Sequence, residues 1–134
     1  MQIERILSMT LARLSVMHID ASLHAVAELL ARPGTGLVIV CDELDQMAGV
    51  LSKSDLVRQM IYPNPNTISI DGLMTKNVIS CRPEDDLFKV WDIMTERRLQ
   101  NVPVLGSGNR AVGVLDVRDA FKCFSSTSVS KNRC

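Results

Sequence analysis

Aromatic surface is what this chain has least of. One Trp (Trp91), one Tyr (Tyr62) and three Phe make up 4% of it. Two indole or phenol rings are too few to form base-stacking platforms. A charge of one sign is missing too: Lys plus Arg and Asp plus Glu stand at 15 each, so the formal net charge is zero. Nucleic-acid binding draws on neutralised phosphates and shows as a basic excess, so that class is set aside. Cysteine is sparse, and Cys41, Cys81, Cys123 and Cys134 form no C-x-x-C pair. They read as buried or idle thiols in a reducing compartment, not as a metal or disulfide site. Cys41 and Cys81 lie among apolar neighbours, where a free thiol behaves as a small hydrophobe. No apolar run approaches a membrane span. The stretch Met1 to Arg13 carries charges and lacks a cleavage-like end. The expectation is a cytoplasmic protein with no nucleic-acid or membrane partner.

Catalytic and metal signatures are equally thin. No nucleophile and base stand at a recognisable spacing, so the chain is not read as an enzyme and no catalytic cofactor is expected. His18 and His24 lack a Cys or carboxylate partner at ligand spacing and read as surface or half-buried imidazoles. Gly34 and Gly36 follow a helix and precede a strand, the reverse order of a dinucleotide-binding loop.

What is present is aliphatic and repeated. Hydrophobic residues make up 46% of 134, enough for one ordinary domain or two very small ones sharing a core. Gly49-Val50-Leu51 recurs as Gly113-Val114-Leu115, and Asp55 recurs as Asp119, both at an offset of 64. Without gaps, the same shift lays Leu23 on Leu87, Val26 on Val90, Val38 on Val102 and Val40 on Val104.

Each copy reads alike. A short extended segment (Leu14 to Met17; Val78 to Cys81) precedes a helix (Leu23 to Ala31; Leu87 to Glu96) with apolar residues at helical spacing. Ser22 and Asp86 are the expected N-caps, and Pro33-Gly34 stops the first helix. Two strands follow as a hairpin, Leu37 to Val40 with Ala48 to Leu51, and Asn101 to Leu105 with Ala111 to Leu115. A last helix closes each copy, Lys53 to Met60 and Val117 to Phe124. The fold class is α/β (α+β): β-α-β-β-α, twice, packed by a pseudo-twofold with ligand clefts between the copies. Residues 1–62 form the first unit with an N-terminal helix, 63–70 a linker, 71–124 the second unit and 125–134 a flexible tail.

Two elbows carry the chemistry. Gly49-Val50-Leu51-Ser52-Lys53-Ser54-Asp55 and Gly113-Val114-Leu115-Asp116-Val117-Arg118-Asp119 each turn a strand into a helix. Such a turn aims backbone N–H groups and the positive helix end at an anion. A carboxylate accepts only, which suits paired hydroxyl donors. The same residues have a local use: Ser52-x-x-Asp55 is capping-box-like and Asp116 is a good N-cap, while Arg118 also fits a solvated helix residue.

Over roughly Leu7 to Phe124 the chain resembles a tandem pair of CBS domains, a Bateman module. The two elbow motifs, Leu73-Met74-Thr75-Lys76-Asn77-Val78 and Asn101-Val102-Pro103-Val104 carry the resemblance. It implies a regulatory module that binds an adenosine-containing ligand such as AMP, ATP or S-adenosylmethionine. It also implies site residues: Ser52 and Asp55, with Val16, Met17 and Val40 near the base, in the first copy. In the second they are Asp116, Arg118 and Asp119, with Ile79, Ser80 and Val104 near the base. The closing Asp would take the ribose hydroxyls. The alternative is a pair without ligand that serves dimerisation or docking. A homodimer is expected through Val57, Met60, Ile61, Phe121 and Phe124 on the last helices, along with a regulated partner protein. Asp116 in place of Ser52 sets a like charge beside any phosphate, so the first elbow is expected to take AMP or ATP better than the second.

Overall fold

A computed structural model of the chain describes residues 1–61 and 69–127, without the side chains of 125–127. The expected connector Tyr62-Pro63-Asn64-Pro65-Asn66 and most of the expected tail lie outside the described residues. Two compact units are present. One holds Leu14–Val78 with Gly108–Arg110 and carries the first repeat; the other holds Met1–Arg13, Ile79–Ser107 and Ala111 onward and carries the second.

In the first-repeat unit, β1 (Val16–His18) leads to α2 (Leu23–Leu30), then β2 (Val38–Cys41), β3 (Met47–Leu51) and α3 (Lys53–Ile61). A short helix before β1, α1 (Leu7–Ala12), belongs to the other unit. Ser22 caps α2 by accepting from the Ala25 N–H at 3.1 Å, which satisfies one of the helix's orphan donors. Val26 and Leu30 of α2 pack with Val38, Val40, Leu51, Ile70 and Met74. The sheet order is β1-β2-β3, with β1 parallel and β3 antiparallel to β2.

The second repeat copies this plan with α5 (Leu87–Glu96), β4 (Asn101–Leu105), β5 (Ala111–Asp116) and α6 (Val117–Thr127), after a further short helix, α4 (Ile70–Leu73). Asp86 caps α5 through the Phe88 N–H. The pairing registers coincide under the shift of 64. Val38 faces Leu51 as Val102 faces Leu115, Val40 faces Gly49 as Val104 faces Gly113, and both hairpins slip register at the next residue, Cys41 and Leu105. A bulge at the same place in both copies bends each hairpin alike.

Two expectations are corrected. Val78 to Cys81 does not form a strand like β1; only a single parallel bridge joins Cys81 to Val104. In the first repeat the Ile39 N–H donates to the Ser15 carbonyl at 2.8 Å. Pro103 stands at the position equivalent to Ile39 and has no N–H, so the rung to Ile79 cannot form.

The second correction concerns the segments ahead of each repeat. The N-terminal helix belongs to the unit of the second repeat, not the first, and residues up to Val78 belong to the unit of the first. Ile3 and Ile6 are fully buried in a core with Leu87, Val90 and Met94, each side chain contributing about 1.5–3 kcal/mol. Glycine permits the close approach. A Cβ on Gly113 would stand 2.5 Å from Thr10 Oγ1, and one on Gly49 would stand 2.7 Å from the Thr75 carbonyl and 2.8 Å from Met74 Sδ. Thr10 and Met74 are themselves 64 apart, so each preceding segment rests on the glycine of an elbow motif.

Candidate functional site

At the first elbow β3 enters α3 through Ser52. The Asp55 carboxylate folds back: Oδ2 accepts from the Ser52 N–H at 2.8 Å and from its hydroxyl at 3.2 Å. Arg58 Nη1 donates to Asp55 Oδ1 at 3.2 Å from one turn further along. Asp55 is therefore buried and locally satisfied, in the capping role that its spacing from Ser52 allows. Its guanidinium partner is largely in solvent, with Arg58 63% exposed. Arg58 also lines, with Lys53, Ser54, Val57 and Ile61, a shallow groove along α3.

At the second elbow β5 enters α6 through Asp116. Asp116 Oδ1 accepts from the Arg118 backbone N–H at 2.8 Å and from Arg118 Nε at 2.9 Å, and Oδ2 accepts from Nη2 at 2.9 Å. Asp116 is thus both an N-cap and one half of a bidentate ion pair. Asp119 is held from elsewhere. Arg13, at the end of the N-terminal segment, donates Nε to Oδ2 at 2.6 Å and Nη2 to Oδ1 at 3.1 Å, while its Nη1 lies 3.6 Å from Asp116 Oδ2. Both carboxylates are buried. Burial alone would raise the Asp116 carboxyl; the Arg118 hydrogen bonds and the Arg13 charge outweigh it and hold the group below the usual carboxylate range. The Arg13 guanidinium is in turn raised, chiefly by its hydrogen bond to Asp119.

Arg13 is the residue that sequence reasoning missed. It lies 106 positions from Asp119. The repeat offset does not reveal it, because Asn77 occupies the equivalent place in the other copy. Arg118, expected as a site residue or as a solvated helix residue, is folded onto Asp116.

The remaining expected residues are spread unevenly. Val16 is exposed and Met17 half-buried on β1, while Ile79 is half-buried and Ser80 exposed ahead of Cys81. Val40 and Val104, expected beside an adenine, are both 0% exposed. They belong to the cores of their own units, so their side chains present no surface to a ligand. The Cys81 thiol is pushed up to about 12, mainly by burial and then by Asp85, so it is unreactive near neutral pH. His24 pairs with Glu28 at 2.6 Å. Among the described residues no group of three or more His, Cys, Asp or Glu side chains could hold a metal, and no helix is long and apolar enough to cross a membrane.

Paired strand-to-helix elbows on a repeated α-β-β-α plan, led by a strand in the first copy, agree with a known family. The CBS domain model matches residues 13–62 and 70–126. The chain belongs to the CBS domain family. Its CBS pair is 28% identical over 110 residues to an uncharacterised 33.4 kDa protein of the ribosomal RNA operon of Thermofilum pendens, covering 81% of this chain and 36% of that one. The chain thus spans about a third of that curated relative. Among solved structures it resembles the CBS domain pair of protein MJ0100 in complex with 5′-methylthioadenosine and S-adenosyl-L-methionine. The TM-score is 0.80 at 20% identity, over 95% of this chain and 98% of that one. It also resembles CBSX2 in complex with AMP, with a TM-score of 0.77 at 19% identity over 89% and 92% of the two chains. These likenesses establish an α+β CBS pair fold.

Proposed function

We propose that this CBS pair is a regulatory module that binds an adenosine-containing ligand at its elbows and relays the change to a partner protein, without catalysing a reaction itself. One observation carries the reading. Both copies place a buried carboxylate, Asp55 or Asp119, in the first turn of a helix that leaves a strand at a glycine-containing motif. An acceptor-only group beside a positive helix end suits vicinal ribose hydroxyls with a phosphate nearby. MJ0100 and CBSX2, which share the fold, carry adenosyl ligands, and this supports the same ligand class here. A thermal-shift panel of AMP, ATP, 5′-methylthioadenosine and S-adenosylmethionine tests it. A ligand at a hundredfold over its Kd adds about 2.7 kcal/mol to the native state. No shift with any of the four would sink the reading.

A second reading, a ligand-free dimerisation or docking pair, has its own support. Both elbow carboxylates are already bonded within the chain, and Val57, Met60 and Ile61 on α3 and Phe121 on α6 are exposed. Phe124 is only half-exposed, stacked on Phe88 at 4.5 Å and edge-on to Trp91 at 4.9 Å. The two readings exclude each other on the ligand, but dimerisation is compatible with either, and a homodimer is part of the proposal. Light scattering showing a monomer at every concentration removes it.

A further inference from the structure

We infer that Arg13 decides which charge class of adenosyl ligand the second elbow takes. This rests on the adenosyl-binding reading above. The second elbow has two buried carboxylates, Asp116 and Asp119, against two guanidiniums, Arg13 and Arg118. The four charges balance. The first elbow has one carboxylate, Asp55, against Arg58, with Lys53 beside it and a neutral Ser52 at the turn. Arg13 therefore removes the like-charge barrier that Asp116 raises against a phosphate.

Its placement is fixed from outside the motif. Ile3 and Ile6 anchor the N-terminal segment in the core, and Thr10 rests on Gly113. The guanidinium thus reaches the elbow on a backbone the ligand cannot easily displace, since two buried Ile side chains hold it. The Arg13 fork spans Asp119 and approaches Asp116, so a single substitution leaves both acids short of positive charge. The elbow then has a net negative charge. An AMP phosphate, with about two negative charges near neutral pH, is disfavoured there. The sulfonium cation of S-adenosylmethionine is favoured, and uncharged 5′-methylthioadenosine is nearly indifferent. One uncompensated charge a few ångströms away at a surface-like dielectric, partly screened, corresponds to about tenfold in affinity.

The experiment is calorimetric titration of the full chain carrying Asp55→Ala, which disables the first elbow, with and without Arg13→Gln. AMP, 5′-methylthioadenosine and S-adenosylmethionine are the probes. The expected result is an AMP Kd about tenfold weaker, a methylthioadenosine Kd within about threefold and a tighter S-adenosylmethionine Kd. Adding Asp116→Asn to Arg13→Gln restores the balance and should return the AMP to methylthioadenosine ratio toward its starting value. Arg13→Lys keeps the charge without the fork and should hold the ratio; should Arg13→Gln fail to fold, Arg13→Met removes the same charge and carries the same expected change of ratio. Equal weakening of all three ligands would mean that Arg13 only supports the structure, and would overturn the inference. So would an unchanged ratio in the variant that removes the Arg13 charge. Adenosyl binding by the unmodified chain that Asp55→Ala abolishes outright would overturn it while leaving the module's function standing. No binding to the unmodified chain would overturn both.

Discussion

The two elbows share a backbone and differ in how they are neutralised. Strand register, bulge and glycine contact agree under the shift of 64. Yet Asp55 is paired from within its own helix by the exposed Arg58, whereas Asp119 is gripped by Arg13 across 106 positions. Backbone plan and charge plan are separable. The plan follows from apolar periodicity and a Gly that lets a preceding segment close in; the charges follow from whatever that segment brings with it. The first elbow should therefore be the open one, its acid a cap with a solvent-facing counterion. The second is a closed four-charge cluster.

The largest expected effect lies in the second elbow. Asp119→Ala leaves the partly buried Arg13 without its bidentate acceptor. Breaking a buried pair from one side costs about 3–5 kcal/mol, and Arg13 can turn toward water, so about 2–3 kcal/mol is expected. For a chain of this size that is a melting temperature lower by about 10 °C. A loss no larger than that of Asp55→Ala would erase the distinction between the elbows. Next come the glycines. Gly113→Ala drives a methyl into Thr10, a residue of a core-anchored helix, and should cost about 2 kcal/mol. Gly49→Ala meets the Thr75 carbonyl and the flexible Met74 side chain, and should cost about 1 kcal/mol. Chemical denaturation of the pair checks the order.

Asp55→Ala comes third. Loss of the bond to the Ser52 N–H should lower apo stability by about 1 kcal/mol. The ribose role predicts weaker adenosyl binding at the first elbow in the same variant. Lower stability with unchanged affinity would reduce Asp55 to a cap. Both measured on one protein settle which role the buried acid serves.

These contrasts also mark what could be read in the sequence. The repeat was legible because buried positions recur at a fixed offset, and the caps Ser22 and Asp86 were legible because N-cap chemistry is local. The flawed strand before α5 was legible in principle: Pro103 was in plain view, but its missing N–H matters only once its partner is known to be Ile79. The place of Val40 and Val104 near a base comes from the family resemblance alone, and a resemblance does not tell a ligand-facing valine from one packed in the core, where both lie. Arg13 was not legible. A lone basic residue at a helix end carries no mark of the acids it will meet.

The smallest effect is a pH dependence that Asp116 brings to the second elbow. Ser52 does not titrate; its counterpart Asp116 does. In the folded chain Asp116 ionises below the usual carboxylate range, because the Arg118 hydrogen bonds and the Arg13 charge outweigh burial. A folded value lower than the unfolded one means that ionised Asp116 stabilises the fold above the unfolded value of about 3.9. That contribution is lost as pH falls through the lower folded value. Asn caps a helix about as well as Asp, so Asp116→Asn removes the charge and largely spares the cap. The variant should be slightly less stable than the parent near neutral pH, and the gap should close as pH drops below about 4. Urea midpoints for the two proteins from about pH 7 down to about pH 2.5 test this. A gap that stays constant over that range would mean that Asp116 acts by shape alone, and the electrostatic contrast between the elbows would then rest on Asp119 and Arg13.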